Sequence, residues 1–227
     1  MGRAARSRTS ARVLPYARDG FCAVRSFLSA EDFERVLADC RRLQPKMKAE
    51  KNSLAQGRLG CFVDRRSETH AVLSSPAVCA RVAALVGESL ELSAYPIELR
   101  RYRVGAEMAW HQDDQLFEPA QCELVLCLDN DSDARTEWID ARGEVSAEWT
   151  PPNMALLVRG GAAGAAHRVT RLHRGTRTIV KMVWAAPDSA PLPAFYEHLD
   201  SLPGLRSRVR KGIERSKSPR GRGARLE

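Results

Sequence analysis

His111 and Asp113 stand two residues apart in the segment RYRVGAEMAWHQDDQ. On an extended strand, residues i and i+2 face the same side, so this imidazole and carboxylate can reach one metal ion together. His167, which opens HRVTRLHRGTRTIVKMVW, offers a second imidazole from a distant strand. Two histidines and one carboxylate on one face of an ion leave three positions open, a donor set suited to oxygen activation by iron(II). Zinc with three protein ligands and a water is the inorganic competitor. A bare His-x-Asp also arises by chance, and its plain alternative is a surface histidine beside a solvated acid. Asp114 is the rival carboxylate, but its side chain should point away from that of His111. His173 is the rival imidazole, in a Leu-His-Arg-Gly turn between strands. His70 and His198 fall outside the strand-rich region.

Arg177 follows His167 by ten residues. In a water-poor barrel its guanidinium can form two parallel hydrogen bonds to a carboxylate; the plain alternative is a solvated strand arginine. Alternation along the same run puts Arg177, Ile179, Lys181 and Val183 on one face, which would turn Lys181 toward a substrate.

The elements that must position these groups are short. Residues 13–27 read as extended. Ser29, with Glu31 and Asp32 behind it, reads as the cap of an amphipathic helix over 30–43, where Phe33, Val36, Leu37 and Cys40 recur at helical spacing. Ser75-Pro76 opens a second helix that Gly87 ends. Between them, 44–60 is polar and lysine-rich without a period and reads as a mobile loop over the site. β-like runs then follow at 89–95, 97–104, 121–128, 136–140, 154–159, 167–170 and 177–185, with Cys122, Leu124, Leu126 and Leu128 on one face. A short helix is expected around Phe195–Leu199. Two helices followed by about seven short strands predict a mainly β domain with helical support, a jelly-roll or sandwich.

The constellation as a whole resembles the prolyl 4-hydroxylase-like branch of the iron(II)/2-oxoglutarate dioxygenases. The similar region is roughly 97–185: Tyr102-x-x-Gly105, His111-x-Asp113, His167-x-Val169 and Gly175-x-Arg177. The upstream DGFCAVRSFLSAEDFERVL is also similar to the opening strand and helix of such proteins. The resemblance implies a double-stranded β-helix, a cupin-like barrel. It implies iron(II) on His111, Asp113 and His167, and Arg177 on the distal carboxylate of 2-oxoglutarate, helped by Tyr102 and Thr178. The implied activity couples oxidative decarboxylation of 2-oxoglutarate, with O2, to hydroxylation of a C–H bond on a prolyl or other residue of a peptide, with ascorbate as reductant. The sequence departs from the pattern twice. The family's Gly-Gly segment is replaced by DNDSDARTEWID, where Thr136-Glu137 takes that place without glycines. The tryptophan expected six residues after Arg177 is Val183, with Trp184 seventh. Both departures bear on the substrate pocket more than on the iron site.

Composition narrows the rest. At 227 residues and 44% hydrophobic the chain can build one sizeable core, expected over 13–200 with helical support at 28–87 and the barrel at 89–185. No apolar run suits a membrane span or a secretory signal. The net charge of +8 belongs to the ends. Residues 1–18 carry five arginines and no acid, and 206–227 carry nine basic residues against two glutamates. The ends therefore read as a basic, disordered segment over 1–12 and a basic tail over 201–227, with contact to a polyanion as the sharper alternative. The six cysteines show no CxxC or zinc-type spacing, which suggests free thiols in a reducing, intracellular compartment, although an arginine-rich organelle signal at the N-terminus has the same composition. Alternative functions are hydroxylation of a free amino acid or other small molecule, nucleic-acid dealkylation, and a cupin-like module that binds without catalysis. The dealkylase pattern places Asn two residues before the Tyr and a second Arg six after the first; here these are Arg100 and Val183. Only 6% of residues are aromatic, with no aromatic/basic interleaving on a strand face, which disfavours an RNA-binding protein.

Overall fold

The computed structural model describes residues 14–50 and 55–201; the basic segment anticipated over 1–12, and all of the tail anticipated over 201–227 except Ser201, lie outside these residues. The first elements are α1 (Pro15–Asp19), β1 (Phe21–Val24) and α2 (Ala30–Leu43). Ser29 caps α2 by accepting a hydrogen bond from the Asp32 amide at 3.1 Å, as expected. The reading of 13–27 as wholly extended is corrected by α1. Pro15 starts this turn and Gly20, at φ +64°, stops it, because proline fixes a helical φ and glycine tolerates the left-handed exit.

The segment read as a mobile loop is also corrected. It holds a short 3-10 turn at Gln44–Lys46 and a hairpin of β2 (Lys48–Ala49) and β3 (Ala55–Phe62). No alternation marks this hairpin because Gly57 and Gly60 interrupt it. Two helices follow, α3 (Glu68–Leu73) and α4 (Pro76–Val86). Ser75 caps α4 and Gly87, at φ +86°, ends it, again as expected.

The remaining strands are β4 (Glu91–Leu92), β5 (Glu98–His111), β6 (Phe117–Glu118), β7 (Cys122–Asn130), β8 (Thr136–Ile139), β9 (Val145–Glu148), β10 (Ala155–Arg159), β11 (His167–Val169), β12 (Arg177–Ala185) and β13 (Ala190–Pro191), before α5 (Pro193–Ser201). The main sheet runs β1-β10-β7-β12-β5-β11-β8-β9, with β3 also paired to β5 and every pairing antiparallel. β1 and β8 lie near opposite ends of this order, yet the Phe21 and Trp138 rings stack with centroids 4.4 Å apart. The sheet therefore curls until its two ends meet. This is the jelly-roll barrel that the sequence predicted.

Strand alternation divides the interior. Leu124, Leu126 and Leu128 of β7 and Val180, Met182 and Trp184 of β12 face the helices and pack with Val36, Leu73 and Val82 in the largest apolar cluster. The intervening residues face into the barrel, where Tyr102, Val169 and Ile179 form a second cluster, with Val125 packed against it. The helices thus brace one wall of the barrel from outside and leave its inner face for the site. Among the described residues no helix is long and apolar enough to cross a membrane.

Candidate metal and co-substrate site

β5 and β11 are neighbours, and their register sets His167 directly opposite His111. The two imidazole centroids are 4.2 Å apart. Asp113, just beyond the end of β5, completes the group: its Oδ1 lies 3.9 Å from His111 Nε2 and its Oδ2 3.7 Å from His167 Nε2. One donor atom from each residue falls within 4.8 Å of the others, a spacing that can hold a metal ion. The tautomers suit that use. His111 Nδ1 sits 2.8 Å from the Ala109 carbonyl and His167 Nδ1 3.0 Å from the Ala165 carbonyl. Each Nδ1–H donates to its carbonyl, so each Nε2 keeps its lone pair for a metal. Burial, and then the neighbouring His167, hold His111 below its usual pKa and favour the neutral ring that a metal needs. Burial raises the cost of the Asp113 charge, but Lys181 and the two histidines outweigh it and hold the carboxyl below its usual range.

The rival residues stand elsewhere. Asp114 meets His198, Oδ2 to Nε2 at 2.9 Å, and His173 is exposed in the turn before β12. His198, outside the strand-rich region, thus has Asp114 as its partner.

The triad opens onto a small cavity lined by Tyr102, Met108, Val125, Thr136, Ile179 and Arg177, among others. Arg177 begins β12 and pairs across to Tyr102 on β5. It is 2% exposed and donates from Nη1 to Thr136 Oγ1 at 3.0 Å. Its Nε has no hydrogen-bond partner, and no carboxylate among the described residues forms an ion pair with it. A buried guanidinium without a carboxylate partner from its own chain is costly unless it meets an anion from outside. Thr136, singled out above as standing in for the missing glycines, supplies the one hydrogen bond that orients it. Gly175 makes the approach possible. Its φ is +68°, and a Cβ there would come within 2.5 Å of the Asp131 carbonyl oxygen.

Tyr102 lies in the same cavity, with the Arg177 guanidinium 5.9 Å from its ring centroid. Thr178 is buried but does not line the cavity; alternation turns it to the other face of β12. The structure therefore brings His111, Asp113, His167, Arg177 and Tyr102 together and leaves Thr178 aside.

Two parts of the site escaped the sequence. Arg58 of β3 is 1% exposed, pairs through Nε with Glu50 at 2.5 Å and donates from Nη1 to the Tyr102 hydroxyl at 3.2 Å. Burial opposes ionisation of Tyr102, but Arg58, Arg100 and Arg177 around it outweigh burial and lower its pKa. The second is Glu123 of β7, fully inside the barrel and ion-paired with Lys181. The Tyr102 register partner on β3 is Arg58; only a hairpin assignment for 55–62 would have revealed it.

Comparison with known proteins shows a family and a shared fold. The profile of the phytanoyl-CoA dioxygenase (PhyH) family matches residues 16–133, which include His111 and Asp113 and end before His167. Solved structures share the fold at low identity. The epimerase SnoN from nogalamycin biosynthesis, seen with Fe3+, alpha-ketoglutarate and nogalamycin RO, superposes with a TM-score of 0.67 at 17% identity, over 84% of this chain and 88% of SnoN. A Pseudomonas putida prolyl-4-hydroxylase gives 0.60 at 15% identity over 75% and 95%. A Trichoplax adhaerens prolyl hydroxylase in complex with a hypoxia inducible factor peptide fragment gives 0.61 at 14% over 74% and 84%. No curated protein sequence matches the chain.

Proposed function

Because the chain belongs to the phytanoyl-CoA dioxygenase (PhyH) family and is an iron(II)/2-oxoglutarate dioxygenase, we propose that it hydroxylates a C–H bond using the site just described. The observation that carries this reading is the pairing of a His-Asp-His triad, in one cavity, with a buried Arg177 that has no carboxylate partner among the described residues. His111 Nε2, His167 Nε2 and the Asp113 carboxylate hold the iron. Arg177, oriented by Thr136, accepts the distal carboxylate of 2-oxoglutarate as a two-point partner, and the Tyr102 hydroxyl adds a donor. Arg58 donates to the Tyr102 oxygen at 3.2 Å, and the phenolic O–H donates to Met108 Sδ at 3.7 Å, a weak acceptor that an incoming carboxylate would replace. Val125, Leu156, Val158, Val169 and Ile179 line the remainder of the cavity and keep water from the reacting centre. When bound, iron and 2-oxoglutarate supply the oxidising power that the protein lacks; the chain supplies position and dryness.

Two substrate classes have support. A prolyl or other peptide residue follows from the resemblance around Tyr102, His111 and Arg177. A small organic molecule is supported by the PhyH match and by SnoN, which covers more of this chain than the prolyl hydroxylases do. Purified protein with iron(II), ascorbate and 2-oxoglutarate is expected to release succinate, and His111→Ala to abolish release. A screen of peptides and small molecules for a mass gain of one oxygen decides between the classes. Wild-type protein that binds neither iron nor 2-oxoglutarate would refute the assignment.

A further inference from the structure

Lys181 lies on the inward face of β12, four residues beyond Arg177, and its side chain is 17% exposed. Its ammonium forms an ion pair with Glu123 and stands 3.5 Å from Asp113 Oδ1. Glu123 is itself 2% exposed and is tied to its own strand by Gln121, whose Nε2 donates to Glu123 Oε1 at 3.4 Å. The sequence Glu123–Lys181–Asp113 is therefore a buried chain of alternating charge that ends on the acidic member of the triad. Burial works against the Lys181 charge, but Glu123 and Asp113 more than offset it and hold the ammonium protonated.

The two oxygens of Asp113 have different neighbours. Oδ1 lies 3.5 Å from the Lys181 ammonium and 3.9 Å from His111 Nε2, whereas Oδ2 lies 3.7 Å from His167 Nε2. A carboxylate can bind a metal through one oxygen or through both, and binding through both takes two positions. With two histidines, a two-oxygen carboxylate and a two-point 2-oxoglutarate, no position of a six-coordinate ion would remain.

We propose that Lys181, anchored by Glu123, is a positioning residue that holds one oxygen of Asp113 and so keeps this carboxylate a one-oxygen ligand. The inference rests on the triad reading above. It differs from the role of Arg177, because Lys181 acts on the metal ligand and not on the co-substrate. Residues that orient a metal ligand in this way change metal affinity by about 10- to 100-fold when removed.

The test uses full-length protein, with cobalt(II) as a coloured substitute for iron, titrated without oxygen. The variant is Lys181→Met combined with Glu123→Gln, because removing the lysine alone would strand a buried carboxylate beside the triad. Wild type is expected to bind one cobalt per chain. The double variant is expected to bind it about 10- to 100-fold more weakly. Its visible absorption should also change in intensity, since that intensity follows coordination number. Cobalt affinity within twofold of wild type, with superimposable spectra, overturns the proposal. Glu123→Gln alone covers the case of a double variant that fails to fold. It keeps the cation but loosens its anchor, and should weaken cobalt in the same direction by less; an unchanged affinity and spectrum there also overturns the role. Wild type that binds no cobalt would overturn the triad itself, which distinguishes that failure from this one.

Discussion

Arg177→Met should weaken co-substrate binding and stabilise the ligand-free protein. Methionine keeps roughly the length of arginine and removes the charge. In the ligand-free barrel the Arg177 guanidinium is buried with one hydrogen bond to Thr136, the face of Tyr102 and no carboxylate. Replacing such a cation with an apolar side chain should stabilise the empty protein by about 1–3 kcal/mol, toward the range seen when buried charges are exchanged for apolar groups. For a chain of this size that is roughly 2–4 °C in Tm per kcal/mol. With 2-oxoglutarate bound, the same residue faces a carboxylate, and losing one partner of a buried charge pair costs about 2–5 kcal/mol. The affinity should then fall by at least about 30-fold. Thermal unfolding with manganese(II) in place of iron reads both effects without turnover. At 2-oxoglutarate near 100 times the wild-type Kd, wild type gains about 2.7 kcal/mol, and a 30-fold weaker variant gains less than about 1 kcal/mol. A variant that melts below wild type when empty, or that keeps the full 2-oxoglutarate shift, would show that Arg177 is not an anion-seeking cation.

Thr136→Val removes the hydroxyl that orients Arg177 at 3.0 Å; a lost hydrogen bond of about 1 kcal/mol should raise the KM for 2-oxoglutarate roughly fivefold in steady-state assays. Burial and His167 depress the pKa of His111 below 6.5, so the folded metal-free protein binds fewer protons there than the unfolded chain does. That contribution to stability is complete above pH 6.5 and is lost as pH falls through the lowered value, so denaturant midpoints of metal-free protein should drop on acidification in this window, and His111→Gln should flatten the drop. Metal and 2-oxoglutarate should bind with positive coupling, each raising the affinity for the other by the same factor in paired calorimetric titrations, and independent binding would contradict a shared site.

Much of this site was legible because strand geometry is strict. His111 and Asp113 share a face through a two-residue offset. Arg177, Ile179 and Lys181 do so through the same period, and the structure sets all five along one cavity. Helix α2 was legible from its cap and apolar spacing. The hairpin carrying Arg58 was not, since Gly57 and Gly60 erase its alternation and its burial comes from lying against β5 rather than from its own composition. Helix α1 was missed because five residues between a proline and a glycine carry no period. Glu123 could have been found: the alternation that sends Leu124, Leu126 and Leu128 outward to the helices sends Glu123 and Val125 inward, and a glutamate inside a barrel requires a partner. Thr178 shows the opposite error, a role carried over from a resemblance against the same alternation.

The charges of the barrel explain why iron and 2-oxoglutarate belong together in it. Arg58 pairs with Glu50, Arg100 with Glu98, and Lys181 with Glu123. These pairs are balanced before anything binds. What remains is an anion, Asp113, which only shares Lys181, and a cation, Arg177, which has no carboxylate partner among the described residues. An iron dication placed on Asp113 leaves one net positive charge there, which the 2-oxo acid end of a dianionic co-substrate cancels, while its distal carboxylate cancels Arg177. Neither ligand alone neutralises both ends. Metal without co-substrate leaves Arg177 and the triad both positive, and co-substrate without metal sets its 2-oxo acid end against the Asp113 carboxylate. In a low-dielectric cavity each such mismatch is expensive. The fixed side chains of this barrel therefore select the two ligands as a pair.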